Sequence, residues 1–247
     1  MAIVLRNPKK DYLRTPKRLP LINQYPLYDL NFDGVNSIVD CGTFSPLITL
    51  TIECWVNPTV LGIQELISKG SAGADLNGDF QLRIEDAAGH IKPHLYVGGA
   101  WVLFASLGTI PAGQLSHLAM VSDGVTLSLY INGVLDANNA AVVGAWAVNA
   151  HNVYMGMYPP LPGILAYNGL IADPKIYNRN LSIAEIQHNI YNPLAPIRNS
   201  LILWFPMIEG QGATVVDSSG AGNNGTFLGG TTWGNLMKYE IPAGAGL

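Results

Sequence analysis

The sequence predicts an all-β protein, a two-sheet antiparallel sandwich with one short helix and an extended N-terminal arm. Three observations carry that prediction. Segments of two-residue alternation recur along the chain: in ITLTIECWV, Ile48, Leu50, Ile52, Cys54 and Val56 share one side, and Thr49, Thr51, Glu53 and Trp55 the other. Such alternation marks antiparallel strands with one face on a core. Asp-Gly or Asn-Gly pairs at 33–34, 77–78, 123–124, 132–133, 168–169 and 224–225 punctuate these segments, and such pairs reach the positive φ of tight hairpin turns cheaply. Finally, 247 residues with 49% hydrophobic and only 12% charged side chains can bury one substantial core, which excludes wholesale disorder.

The arm comes first. Residues 1–28 have no sustained period and carry Pro8, Pro16, Pro20 and Pro26, which forbid helix and spoil central strands. They also hold Arg6, Lys9, Lys10, Arg14, Lys17 and Arg18 against Asp11, a net +5, while the remaining residues hold 7 basic and 16 acidic side chains, a net −9. A basic arm on an acidic body suits docking to an acidic partner or to neighbouring copies of the chain, and these six cations are the candidate partner-binding set. An acidic body is a poor nucleic-acid binder, because phosphate contact needs a cationic face. The N-terminal apolar stretch, Ala2–Leu5, is too short for the core of a secretory signal, and no apolar run reaches the ~18 residues of a membrane span.

The body follows. FQLRIE and VTLSLYI repeat the alternation through Phe80, Leu82 and Ile84, and through Val125, Leu127, Leu129 and Ile131. Cys41 and Cys54 are too few for a disulfide framework, and Cys54 falls on the apolar face of its strand as a reduced core thiol. In NLSIAEIQHNIYNP, Ser182 and Glu185 form a capping box, Ile183, Ile186 and Ile190 an apolar stripe, and Pro193 a stop, which predicts a two-turn packing helix.

Six segments in order, LNFDGVNSIVDCG, LTIECWVNP, LISKG, HLAMVSDGVTLSLYINGVL, VYMGM and GLIADPKIYNRNLSIAEIQ, resemble the laminin-G-like branch of the concanavalin-A-like jelly rolls. The resemblance covers residues 29–192 and implies a two-sheet antiparallel jelly roll. Members of that family bind sugars, proteins or calcium, or hold assemblies together, and the fold alone does not choose among these. In such domains a segment like LILWFPMIEGQGATVVDSSGAGNNGTFLGGTTWG precedes the FDG strand; here it follows the helix, at 201–234. The C-terminal stretch 193–247 can therefore complete the same sandwich, complete a neighbour's by strand donation, or lie on the surface as a truncated repeat. The permuted order is similar to that of bacteriophage and virus-like virion components.

Catalysis finds little purchase. Glycoside hydrolases on this fold need closely spaced carboxylates on one strand face, whereas Glu85 and Asp86 are adjacent and point to opposite faces. No catalytic residue is assigned and no enzyme activity expected. His90 and His94 are four apart, but Pro93 between them argues against the helix that a zinc pair would use. Asp217, Asn223 and Asn224 offer hard oxygens for calcium, the one cofactor considered, although the same residues suit an Asx turn in which Asp217 accepts backbone amides. Trp55, Trp101 and Trp146 are the candidate sugar platforms, set against the commoner place of tryptophan in a sandwich core. The leading expectation is a non-enzymatic structural protein of a phage or virus-like particle, decorating a capsid or belonging to a tail or fibre. The arm would contact other virion proteins or copies of the chain. The alternative is a carbohydrate-binding adhesin module displayed on a virion or an extracellular surface.

Overall fold

The structure is a computed structural model and describes residues 28–44, 47–70, 79–146, 149–158 and 165–234. The basic residues Arg6, Lys9, Lys10, Arg14, Lys17 and Arg18 of the expected arm lie outside the described residues.

In chain order the elements are β1 (Leu30–Asp33), β2 (Ile38–Thr43), β3 (Thr49–Pro58), β4 (Gln64–Lys69), β5 (Phe80–Ile84), β6 (Ile91–Val97), β7 (Ala100–Leu103) and β8 (Ser116–Asp123). They continue with β9 (Thr126–Ile131), β10 (Val134–Ala141), β11 (Asn152–Met155), β12 (Asn168–Tyr177), α1 (Ile183–Tyr191), β13 (Leu201–Trp204), β14 (Thr214–Val215), β15 (Gly225–Leu228) and β16 (Thr232–Trp233). Two eight-stranded sheets result. The first runs β10-β9-β8-β3-β12-β1-β16, with β13 also on β12, and the second β14-β15-β2-β11-β4-β5-β6-β7. The all-β, two-sheet antiparallel jelly-roll sandwich read from the sequence is the observed fold.

The core lies between the sheets. Leu50, Ile52, Cys54 and Val56 of β3, Phe80, Leu82 and Ile84 of β5, and Leu127 and Leu129 of β9 are all fully buried. Val125 breaks the pattern at 70% exposed, because it belongs to the β8–β9 turn, where Asp123 accepts the N–H groups of Val125 and Thr126. Among the Asx-Gly pairs, Asn132-Gly133 joins β9 to β10 with both residues at positive φ. Two pairs are not turns. Gly169 lies within β12, where a Cβ would stand 2.4 Å from the Asn57 carbonyl oxygen, and Gly225 begins β15, where a Cβ would meet Val215 and Val39 at 2.7 Å each. Close packing rather than chain reversal demands glycine at both. Asn77-Gly78 lies outside the described residues.

The helix forms as its signals predict, with both capping-box bonds between Ser182 and Glu185 present. Ile186 and Ile190 are buried, but Ile183, in the first turn, is 45% exposed. After the helix the chain contributes to both sheets. Leu203 of β13 stands opposite Ile176 of β12, so β13 takes the stretch of that strand's edge that β1 leaves unpaired. Between the two lies an irregularity at Ala172–Lys175, holding Pro174 and an Asp173 at φ 51°. Next, β14 and β15 extend the second sheet through β2, with Phe227 opposite Val39, and β16 returns to β1 in the first.

Candidate functional site

The outer faces of the two sheets differ in kind. That of the first sheet is roofed. Thr51 donates to the Arg179 carbonyl and accepts from Leu181 N–H; Asn189 of α1 donates to Glu53 at 2.6 Å and to the Tyr177 hydroxyl at 2.9 Å. Beneath this roof Lys175 lies 2.5 Å from Asp173 and 3.7 Å from Glu53, and the Trp204 indole donates to Asp173. One cation serves two buried carboxyls, and burial pushes Glu53 up to about 7, with Lys175 pulling the other way. His117, 4.0 Å from Glu53 and also buried, is held neutral well below its ordinary value by burial and by Lys175. Trp55 shares this face, 1% exposed and edge-on to His117 at 5.1 Å. The sequence makes Trp55 a candidate sugar platform, but it is sealed in the fold, opposite His117 of β8 and Ala172 of β12.

The outer face of the second sheet is only partly covered by the described residues: Gln81 and His94 are buried there, at 7% and 4% exposed, while Arg83 and Trp101 are partly exposed. Gln81 and Arg83 alternate with the core residues Phe80, Leu82 and Ile84 and so project outward from β5. Register places His94 opposite Gln81, Leu103 opposite His94, and Trp101 opposite Tyr96. Gln81, Arg83, His94, Trp101, Leu103 and Tyr158 line an open depression of about 330 Å³. The Trp101 ring lies 5.6 Å from that of His94 and 5.1 Å from that of Tyr96. His94 Nδ1 is 2.8 Å from Gln81 Oε1. Arg83 donates through Nε and Nη2 to Glu85, which also accepts from Lys92, so two cations share one carboxylate.

Burial sets the protonation states here. It pulls His94 down to about 3, with the Arg83 and Lys92 charges acting in the same direction. It pushes the Glu65 carboxyl, opposite Arg83 in register, well above its usual range, with Arg83 only partly offsetting it. Tyr158 is raised to about 12, by burial first and then by Asp79 and Glu65. The depression thus presents an aromatic platform, a guanidinium and an uncharged imidazole. No carboxylate is among the described residues that line it.

The other predicted residues fall elsewhere. Trp146 is half-buried against the core, in a loop whose Ala145 carbonyl accepts from Gly98 of the β6–β7 turn, beside the depression but not lining it. The calcium candidates form a pin. Asp217 accepts from Trp204 N–H, Ser219 N–H, the Ser219 hydroxyl and Asn223 N–H, while Asn224 accepts from Asp217 N–H and Asn223 donates to the Ile202 carbonyl. Both carboxylate oxygens are turned to donors of the chain itself, and the Asx-turn alternative describes the loop. His90 pairs with Asp86 at 2.7 Å, and the described residues contain no cluster of three His, Cys, Asp or Glu side chains fit for a metal.

Sequence reasoning missed Gln81, Arg83, His94, Leu103 and Tyr158. The alternation in FQLRIE puts Gln81 and Arg83 on the polar side of β5; which side chains join them there depends on strand pairing that a single sequence does not display.

Comparisons with known proteins agree with the architecture. The model of the concanavalin A-like lectin/glucanases superfamily matches residues 33–187. Among curated proteins none matches by sequence. A solved structure from Bacteroides ovatus, provisionally described as a carbohydrate-binding protein, is similar with a TM-score of 0.62 at 17% identity; the match covers 86% of this chain and 61% of that one. The heptameric SAP-like pentraxin of Limulus polyphemus has a TM-score of 0.61 at 15% identity, over 87% of this chain and 98% of that one. Domain 4 of the extracellular arabinanase AbnA of Geobacillus stearothermophilus, solved with arabinotriose, has a TM-score of 0.51 at 21% identity, over 65% of this chain and 75% of that one. At these identities the likenesses establish shared fold, and the match over residues 33–187 establishes family: the chain belongs to the concanavalin A-like lectin/glucanases superfamily.

Proposed function

We propose that this chain is a non-catalytic carbohydrate-binding domain whose binding face is the outer side of the second sheet. The observation that carries the reading is the open depression holding Trp101 among Arg83, Gln81, His94 and Tyr158. Sugar sites pair an apolar or aromatic surface with a few converging polar groups, and this one does so on a rigid sheet. Solved structures of like fold include one provisionally described as carbohydrate-binding and one holding arabinotriose, which supports the reading by analogy of fold. The virion role expected from segment order has no comparable support, and its anchoring arm lies outside the described residues.

The test is a glycan array followed by calorimetry on wild type and Trp101→Ala. A buried aromatic anchor is worth ~1.4 kcal/mol or more, so affinity should fall at least about ten-fold while the fold persists. An array with no bound glycan, or binding indifferent to Trp101→Ala, would overturn the proposal.

A further inference from the structure

His94 carries a hydrogen-bond acceptor that the fold leaves unused. Its Nδ1 meets Gln81 Oε1 at 2.8 Å, and Gln81 also bonds the Tyr158 hydroxyl, so two partners orient the Gln81 amide. The amide oxygen facing it assigns the proton to Nδ1 and leaves Nε2 a bare lone pair. That Nε2 is shielded from water and has no hydrogen-bond partner. Leaving a buried acceptor unpaired is costly, and proteins seldom do so without a use for it.

The imidazole lies beside the edge of the sheet, its ring 5.6 Å from that of Trp101. Trp101 and Leu103 belong to β7, the edge strand of the second sheet, which is paired on one side only. Trp101 is partly exposed and Leu103 is 40% exposed. The charged groups around the imidazole are Arg83 and Lys92, with Glu85 between them. Arg83 uses Nε and Nη2 on Glu85, which leaves Nη1 to donate elsewhere.

An unprotonated, uncharged nitrogen can only accept. A carboxylate or sulfate group has no proton to offer at neutral pH and would set its own lone pairs against the imidazole's, and a phosphate, with its second pKa near ~6, is mostly in the same state. A hydroxyl has the proton, and its oxygen can accept in turn from Arg83. Resting on the carbohydrate-binding reading above, we infer that the depression selects an uncharged, hydroxyl-bearing sugar ring. One ring hydroxyl donates to His94 Nε2 as the Trp101 indole moves off the imidazole and onto the C–H face of the sugar.

The experiment titrates the full chain with neutral oligosaccharides (arabino-, xylo-, gluco-, galacto- and manno-hexaose) and with two acidic ones, hexagalacturonate and sialyllactose. In parallel, long-range proton–nitrogen NMR follows the His94 ring. Without sugar the spectrum should show the Nδ1–H tautomer, and at saturation with a bound neutral sugar the Nε2 resonance should shift as it accepts a hydrogen bond. His94→Leu should weaken neutral-sugar binding at least ten-fold, and His94→Gln, whose amide oxygen can accept, should restore part of it. Equal or tighter binding of an acidic oligosaccharide, an unmoved Nε2 resonance at saturation, or an Nε2–H tautomer would each overturn this inference while leaving glycan binding intact. Absence of binding to every sugar would instead overturn the carbohydrate-binding reading on which it rests.

Discussion

Phe205→Ala tests whether the segment after the helix belongs to the cooperative unit. Phe205 follows β13, is fully buried, and donates its N–H to the Pro174 carbonyl. Its ring reaches Gly225 of β15, within 3.1 Å of where a Cβ there would stand, a point that Val215 of β14 and Val39 of β2 approach to 2.7 Å. One side chain thus couples a segment of the first sheet to β14, β15 and β2. Truncating a fully buried Phe costs about 3–5 kcal/mol, through lost transfer energy and the cavity left behind. Against a total stability of roughly 5–15 kcal/mol that is a large fraction. For a chain of this size each kcal/mol moves the melting temperature by about 2–4 °C, so the expected fall is roughly 6–20 °C. The assay is thermal melting followed by circular dichroism, with Leu228→Ala as control, since Leu228 in β15 is 46% exposed and its truncation should stay within ~0.5 kcal/mol. If Phe205→Ala melts within a degree of wild type, residues 201–234 are an appendage and the pairing described for β13–β16 does not bear on stability.

Three further outcomes follow from the same structure. Gly225→Ala would drive a methyl to 2.7 Å from both Val215 and Val39, so overpacking should cost about 1–3 kcal/mol in denaturant melts. Asp217→Ala strips the partner from the buried Trp204 N–H and should cost about 1–3 kcal/mol, while millimolar calcium should leave the wild-type melting temperature unchanged; a rise of several degrees would revive the calcium expectation. Glu53 is held protonated up to about pH 7 by burial, so its favourable contribution is complete below the unfolded value near 4.5 and is lost as pH rises through 7; Glu53→Gln should remove that decline, and a wild-type-minus-mutant stability difference that is flat from pH 4.5 to 7.5 would refute it.

Much of the fold was legible because it rests on periodicity. Phe80, Leu82 and Ile84 alternate without interruption, and the strand forms with those three inward. The departures have local causes. Val125 continues the alternation of β9 on paper, but Asp123 captures its N–H and makes it a turn residue. Asn168-Gly169 and Asn224-Gly225 carry turn chemistry, yet their glycines are required by close approach of neighbouring chain, which a single sequence does not display. The site was harder to read. Trp55 and Trp101 both sit on polar strand faces, and only long-range packing decides that Trp55 is sealed at 1% exposed while Trp101, on the edge strand β7, stays partly exposed. His94 is visible as part of HIKPH, where its spacing from His90 suggests only metal chemistry; its hydrogen-bond partner, Gln81, stands opposite it one strand away and is not marked by that motif.

The asymmetry between the two outer faces also explains how this sandwich can hold a site without straining its core. The first sheet uses its outer face for cohesion: Asn189, Tyr177, Glu53, Lys175 and Trp204 tie α1 and β13 to it through a buried polar network. The second sheet carries Gln81, Arg83, His94 and Trp101 on β5, β6 and β7, consecutive strands that join each other in sequence order and pair with none of the described strands after the helix. Their side chains point away from the residues that fill the core. Binding and stability should therefore separate by substitution: changes at Arg83 or Trp101 alter affinity with little effect on melting, and Phe205→Ala does the reverse at temperatures where the chain is folded. Such separation is a property of a sheet with one face buried and one free, since a two-residue period assigns each side chain to one face or the other. A variant at Trp101 that lost affinity only in proportion to lost stability would show that the two faces are coupled and that the edge strand β7 is part of the core's cooperative unit.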